Sequence, residues 1–214
     1  MRSKPDYVIW DFNGTILDDV QTGIDSVNSL LRKRLLPEIP DADFYRNVFG
    51  FPIRDYYQRL GFDFTKEPYE DIAVEWVELY LRNVPKAPLC SGVLQTLDFF
   101  REHNVPQVIL SATKLEMLEK QLKQLGIRDY FEEVMGLDNI YATSKARLAE
   151  EWMRRHPNMH ILMLGDTIHD YEVAKLMGAT CILIEGGHQT RAVLKSAECQ
   201  VVHNLFEIIT LFSE

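Results

Sequence analysis

Short apolar runs punctuate the chain: Tyr7-Val8-Ile9-Trp10, Val108-Ile109-Leu110, Ile161-Leu162-Met163-Leu164, Cys181-Ile182-Leu183-Ile184 and the brief Val201-Val202. Runs this short, bounded by polar residues, predict strands buried on both faces. Between them apolar residues recur at helical spacing. Leu115, Leu118, Leu122 and Leu125 make one stripe closed by Gly126; Val173, Ala174 and Met177 make another closed by Gly178. Glycine readily takes the left-handed turn that ends a helix. Ser91 and Thr113 are placed to cap helix N-termini. This alternation predicts an α/β fold, a Rossmann-like parallel sheet with helices on both faces.

The stretch 17–87 breaks the alternation, because it holds no strand-like run. Val20, Ile24, Val27 and Leu31 form a helical stripe, and Asp41 can cap a short helix after Pro37 and Pro40. Tyr69, Ile72, Ala73, Trp76, Leu79 and Tyr80 form a second long stripe, followed by the stiff segment Pro85-Lys86-Ala87-Pro88. The expected organisation is an α/β core domain from 1–16 and 88–214, with an all-helical cap domain inserted at 17–87.

Composition narrows the function. The chain has 214 residues, 46% of them hydrophobic, enough for a full core without disulfide or metal staples. It carries 23 Lys and Arg against 32 Asp and Glu, a net charge of −9. That balance argues against nucleic-acid or anionic-membrane partners. Cys90, Cys181 and Cys199 are odd in number and form no zinc or redox motif. They fit a reducing, cytoplasmic setting. The N-terminus has no apolar signal region, and no apolar run is long enough to span a bilayer.

The candidate chemistry sits where the apolar runs end. In an open parallel sheet, ligands bind beyond the carboxyl ends of the strands. Asp11 ends the first run, within Asp11-Phe12-Asn13-Gly14-Thr15. The second leads into Ser111-Ala112-Thr113, a hydroxyl and helix-start amides that suit an anion. The third leads into Gly165-Asp166-Thr167-Ile168-His169-Asp170, whose two carboxylates suit a hard divalent cation such as Mg²⁺. Asp170 also suits a helix cap. His169 reads as a surface or packing residue, and Lys145, taken alone, as a solvated lysine at a helix start.

In this order, Asp11, Ser111, Lys145 and Asp166 to Asp170 resemble the four motifs of the haloacid dehalogenase-like hydrolase superfamily, phosphatases that work through an aspartyl-phosphate. Asp11 to Leu17 resembles the first motif, and Leu125 to Phe131 the segment these proteins carry after the second. The pattern is similar to the phosphoglycolate-phosphatase-like branch, with its helical cap of the first type. The resemblance implies that Asp11 is the nucleophile and a Mg²⁺ ligand. It implies further ligands in the Asn13 backbone carbonyl and Asp166, with Asp170 acting directly or through water. Ser111, the Ala112 amide and Lys145 would hold the phosphoryl oxygens. The expected substrate is a small phosphorylated metabolite, phosphoglycolate-like or a sugar phosphate.

One position departs from the pattern. Most of these phosphatases have a second Asp, the general acid and base, where this chain has Asn13. Asparagine fits the space but exchanges no proton. The alternative reading is therefore a catalytically impaired phosphate-binding or regulatory member of the same fold. Phosphonate cleavage needs a cap lysine, where the comparable stretch Phe49 to Arg54 offers Arg54, a candidate substrate-anion contact. Dehalogenases of this superfamily use no metal, which would leave Asp166 and Asp170 without a purpose.

Overall fold

The computed structural model describes residues 3–141 and 144–213. Six parallel strands form one sheet: β1 (Tyr7–Trp10), β2 (Gln107–Lys114), β3 (Glu133–Leu137), β4 (Ile161–Gly165), β5 (Thr180–Ile184) and β6 (Gln200–Val202). Their order across the sheet is β3-β2-β1-β4-β5-β6. β1 pairs with both β2 and β4, with Ile9 opposite Val108 on one side and Met163 on the other. This is the Rossmann order, and its topological switch point lies at β1 and β4.

The apolar runs form strands because both of their faces are covered. Val8, Trp10, Ile109, Leu162, Leu164 and Ile182 face one apolar cluster; Ile9, Val108, Leu110, Met163, Cys181 and Leu183 face the other. On the first face lie α5 (Val93–Glu102), α6 (Leu115–Gln124) and α10 (Phe206–Ser213); on the second lie α7 (Ala146–Arg155), α8 (Ile168–Leu176) and α9 (Arg191–Leu194). Trp10 is fully buried, and its indole N–H donates to Gln107 Oε1 at 3.1 Å, which removes the penalty of an unpaired donor.

The stretch between β1 and α5 is helical, as expected: α1 (Val20–Lys33), α2 (Ala42–Val48), α3 (Ile53–Arg59) and α4 (Tyr69–Asn83). These helices gather around a cluster of their own that includes Ile24, Leu31, Tyr45, Tyr57 and Ile72. Tyr80 and Val84 belong instead to the cluster under the sheet. No helix among the described residues is long and apolar enough to cross a membrane.

Two expected caps are corrected. Gly92, in a left-handed conformation, takes the N-cap of α5 in place of Ser91. Lys114 occupies the N-cap of α6, and the Thr113 hydroxyl turns to the Asn13 side chain. Asp41 caps α2 as expected, accepting from the Phe44 amide at 2.7 Å. β3 was not expected: it is an edge strand, half-buried over Glu133, Val134 and Gly136, so it shows no continuous apolar run.

Candidate active site

The chain leaves β1, β2 and β4 at the same end of the sheet, and three carboxylates meet there. Oxygens of Asp11, Asp166 and Asp170 lie within 4.8 Å of one another, and all three residues are buried. Lys145 joins them from the start of α7. Its ammonium lies 2.5 Å from Asp11 Oδ1 and 2.6 Å from Asp170 Oδ1, and it donates to the Leu110 carbonyl at 3.0 Å. The lysine is 1% exposed. It is no solvated helix-start residue but the counter-ion of a buried acidic cluster.

One ammonium does not balance three carboxylates. Burial pushes the Asp11 carboxyl well above its usual range, and Asp170 and Asp166 add to this, against the pull of Lys145. Burial likewise pushes Asp166 up to about 6. For Asp170, burial is outweighed by Lys145 and the Thr167 hydrogen bonds, which hold it below the usual range. Burial would lower Lys145, but Asp11 and Asp170 outweigh it and keep the amine charged. A buried excess of hard oxygen charge suits a divalent cation such as Mg²⁺, so the donor set fits one.

The loops are shaped to hold these groups. Thr167 and Asp170 form a reciprocal cap on α8: Asp170 Oδ2 accepts from the Thr167 amide at 2.9 Å and its hydroxyl at 2.6 Å. Asp166 Oδ1 accepts from Thr15 Oγ1 at 2.9 Å and Oδ2 from the His188 amide at 2.6 Å. Two glycines let the backbone close on Asp166. A Cβ on Gly14, whose φ is +75°, would lie 2.3 Å from Asp166 Oδ2, and one on Gly187 would lie 2.2 Å from it.

Asn13 sits in a network that sequence reasoning missed. Its Nδ2 donates to Asp19 Oδ2 at 2.8 Å and to Tyr80 Oη at 2.9 Å, and its Oδ1 accepts from Thr113 Oγ1 at 2.7 Å. Asp19 also accepts from the Gly14 amide at 3.0 Å and from Tyr80 Oη at 2.6 Å. His188 Nε2 lies 3.3 Å from Asp19 Oδ1, while its Nδ1 meets Tyr45 Oη at 2.7 Å. Burial would lower the imidazole, but Asp19 outweighs it and raises His188 to about 9. Asp19 is correspondingly held below the usual carboxylate range, because His188 and its hydrogen bonds outweigh burial. Asparagine suits this setting: its amide donates to an ionised carboxylate. His188 follows Glu185-Gly186-Gly187, just past the end of β5, so the strand-end rule pointed to that loop.

A cavity of about 150 Å³ opens above this cluster, and its lining includes Asp11, Asn13, Ser111, Ala112, Lys145, Asp166 and Asp170. Ser111 is buried, and its Oγ accepts from the Thr113 amide at 3.1 Å. His169 lines the same cavity, stacked on Phe51 at 4.6 Å, a packing role close to the site. Arg54 is the exception. It is exposed, lies over the Phe64 ring at 5.2 Å, and does not line the cavity. α3 buries Tyr56 and Tyr57, while the long Arg54 side chain runs out to the Phe64 ring and solvent.

With this geometry in place, comparison with known proteins is informative. A family model of haloacid dehalogenase-like hydrolases matches residues 8–184. The protein named Probable phosphatase IndB, from Dickeya dadantii (strain 3937), is 25% identical over 93% of this chain and 89% of its own length. The phosphoglycolate phosphatase of Rhodobacter capsulatus is 24% identical over 85% of each chain. Among solved structures, the haloacid dehalogenase-like family protein SP0104 of Streptococcus pneumoniae superposes with a TM-score of 0.81, at 19% identity, over 96% of this chain and 97% of its own. CbbY of Rhodobacter sphaeroides, in complex with phosphate, gives 0.73 at 16% identity over 96% of each. These last two likenesses concern the fold.

Proposed function

The chain belongs to the haloacid dehalogenase-like hydrolase family, in its phosphoglycolate-phosphatase-like branch, and is a phosphoric monoester hydrolase; on that premise we propose that it works through an aspartyl-phosphate on Asp11 with Mg²⁺ as cofactor. The observation that carries this reading is the buried cluster of Asp11, Asp166 and Asp170 around Lys145, open to one cavity. Asp11, the backbone carbonyl of Asn13 and Asp166 would hold Mg²⁺, which when bound neutralises charge on the phosphoryl oxygens. Asp170 acts through a water or by holding Lys145, because both of its oxygens already have protein partners.

The chain's own groups then divide the work. The phosphoryl oxygens take hydrogen bonds from Ser111 Oγ, the Ala112 amide and Lys145, which align phosphorus with Asp11. A carboxylate oxygen of Asp11 attacks phosphorus, and the bond to the ester oxygen breaks. The leaving oxygen takes its proton from water, because Asn13 has none to give. Water then attacks the same phosphorus, freeing inorganic phosphate and the Asp11 carboxylate. Helices α1 to α4, the 17–87 insert, act as the cap over this chemistry. A second reading, a member that binds phosphate but turns over poorly, is favoured by the fixed amide at Asn13.

Two measurements test these assignments. Calorimetry should detect Mg²⁺ binding to the wild-type chain and none to Asp166→Ala at the same concentrations; equal affinity would remove Asp166 from the metal site. Asn13→Asp should raise turnover of alkyl phosphates by about 10²-fold, the lower end of general acid–base effects, and that of aryl phosphates less, through hydrolysis of the aspartyl-phosphate alone. The new carboxyl would stand where Asn13 Nδ2 now lies, 2.8 Å from Asp19 Oδ2. The two would share a proton, with one pKa strongly raised, which supplies an acid near neutral pH at some cost in stability. An unchanged alkyl-phosphate rate would mean that another group donates the proton.

A further inference from the structure

The floor of the cavity is charged, but its roof is not. Phe49, Phe51, Ile53, Tyr56, Trp76 and Val77, which the insert contributes to the lining, make up that roof. Their rings brace one another: Phe49 and Tyr56 lie 5.2 Å apart, Phe49 and Phe51 5.9 Å, and Trp76 stacks on Tyr80 at 4.7 Å. Phe49, Phe51, Ile53, Trp76 and Val77 are only half-buried, so apolar surface remains to be covered. Tyr56 buries a hydroxyl with no protein partner among the described residues.

No lysine or arginine of the insert lines the cavity among the described residues. The two lysines that line it come from the core: Lys145, held by Asp11 and Asp170, and Lys114, 3.1 Å from the exposed Glu116 carboxylate. His188 is paired with Asp19, and His169 stacks on Phe51. Four arginines of the insert are engaged outside the cavity lining. Arg34 pairs with Glu67 and Glu75, Arg46 donates to the Gly186 and Gly187 carbonyls, Arg59 donates to the Val48 carbonyl, and Arg54 lies over Phe64. A substrate with a second anionic group, such as a carboxylate or a second phosphate, would meet apolar rings there, and burying an unpaired charge is costly.

We propose that the group esterified to phosphate in the physiological substrate is one uncharged aromatic ring, so that the enzyme is an aryl phosphate monoesterase. The proposal rests on the phosphatase reading above and narrows the substrate class expected from sequence. The half-buried rings of the roof supply the apolar surface that such a ring would cover. Asn13 points the same way by independent chemistry. When the bond between phosphorus and the ester oxygen breaks, an aryloxide leaves with the electron pair and is later protonated by water. An alkoxide needs a proton as it leaves, and Asn13 supplies none.

Binding of non-hydrolysable isosteres separates ring recognition from leaving-group chemistry. With Mg²⁺ present, calorimetry would compare benzylphosphonate, ethylphosphonate and 3-phosphonopropionate, mimics of an aryl phosphate, a methyl phosphate and phosphoglycolate. Benzylphosphonate is expected to bind roughly 10- to 100-fold tighter than ethylphosphonate, the value of burying one ring, and 3-phosphonopropionate weakest. Val77→Lys places an ammonium on the roof and should weaken benzylphosphonate at least about 10-fold while strengthening 3-phosphonopropionate. If that variant does not fold, the wild-type series decides alone. Tightest binding of 3-phosphonopropionate, or equal binding of all three, overturns the aryl assignment and leaves the phosphatase reading standing. Failure of all three and of inorganic phosphate to bind overturns the phosphatase reading, and the proposal with it.

Discussion

Asp11→Asn is expected to lower phosphatase turnover by at least about 10⁴-fold, the scale of losing a covalent nucleophile. The change is nearly isosteric, and the fold should survive it. In the wild type, Asp11 is 8% exposed and shares Lys145 with Asp170. Burial and two neighbouring carboxylates work against its charge. A neutral amide removes that repulsion, so the metal-free variant should melt no lower than the wild type. Steady-state rates with an aryl phosphate, beside thermal melts of both proteins, test the two halves together. Loss of activity with a lowered melting temperature would indicate a structural role for Asp11. Retained activity would remove it as nucleophile.

Lys145→Met carries the second large effect, and it acts on stability as well as rate. The ammonium is the partner of Asp11 and Asp170 and a donor to the Leu110 carbonyl. Methionine keeps much of the stem's bulk but leaves two buried carboxylates without their counter-ion. Removing one partner of a buried ion pair typically costs about 3–5 kcal/mol. Urea unfolding of the metal-free variant should show a loss of that order. Added Mg²⁺ should restore part of it, because the cation takes over the neutralisation. Turnover should stay lower by about 10²- to 10³-fold even with saturating Mg²⁺, the usual cost of one charge-stabilising donor. A variant as stable as the wild type would mean that the carboxylates do not depend on this lysine.

Much of this arrangement is legible in the chain itself, for physical reasons. A strand covered on both faces must be apolar throughout, so β1, β4 and β5 show as continuous runs, and Asp11 and Asp166 stand out where those runs end. The edge strand β3 is hidden because solvent reaches part of it and Gly136 interrupts it. The network joining Asn13, Asp19, Tyr80, Tyr45 and His188 is hidden for another reason. It links positions far apart in the chain through hydrogen bonds, which leave no periodicity. Asn13 alone reads as a lost acid; beside an ionised Asp19 it reads as a hydrogen-bond donor matched to its site. Arg54 is a different case: its neighbour Ile53 lines the cavity, while its own guanidinium lies over the Phe64 ring, a direction that position along the chain does not fix.

The measurement closest to the central claim is chemical trapping of the phosphoryl-enzyme. Because Asn13 removes the base that would activate water, the aspartyl-phosphate should persist longer than in relatives with Asp there. Rapid acid quenching during turnover of phenyl phosphate with Mg²⁺, followed by proteolysis and mass spectrometry, would locate it. The account predicts one phosphoryl group on the peptide containing Asp11, absent from Asp11→Asn. Phosphate released at the full rate with the label on another residue, His188 for example, or with no label at any quench time, would contradict it.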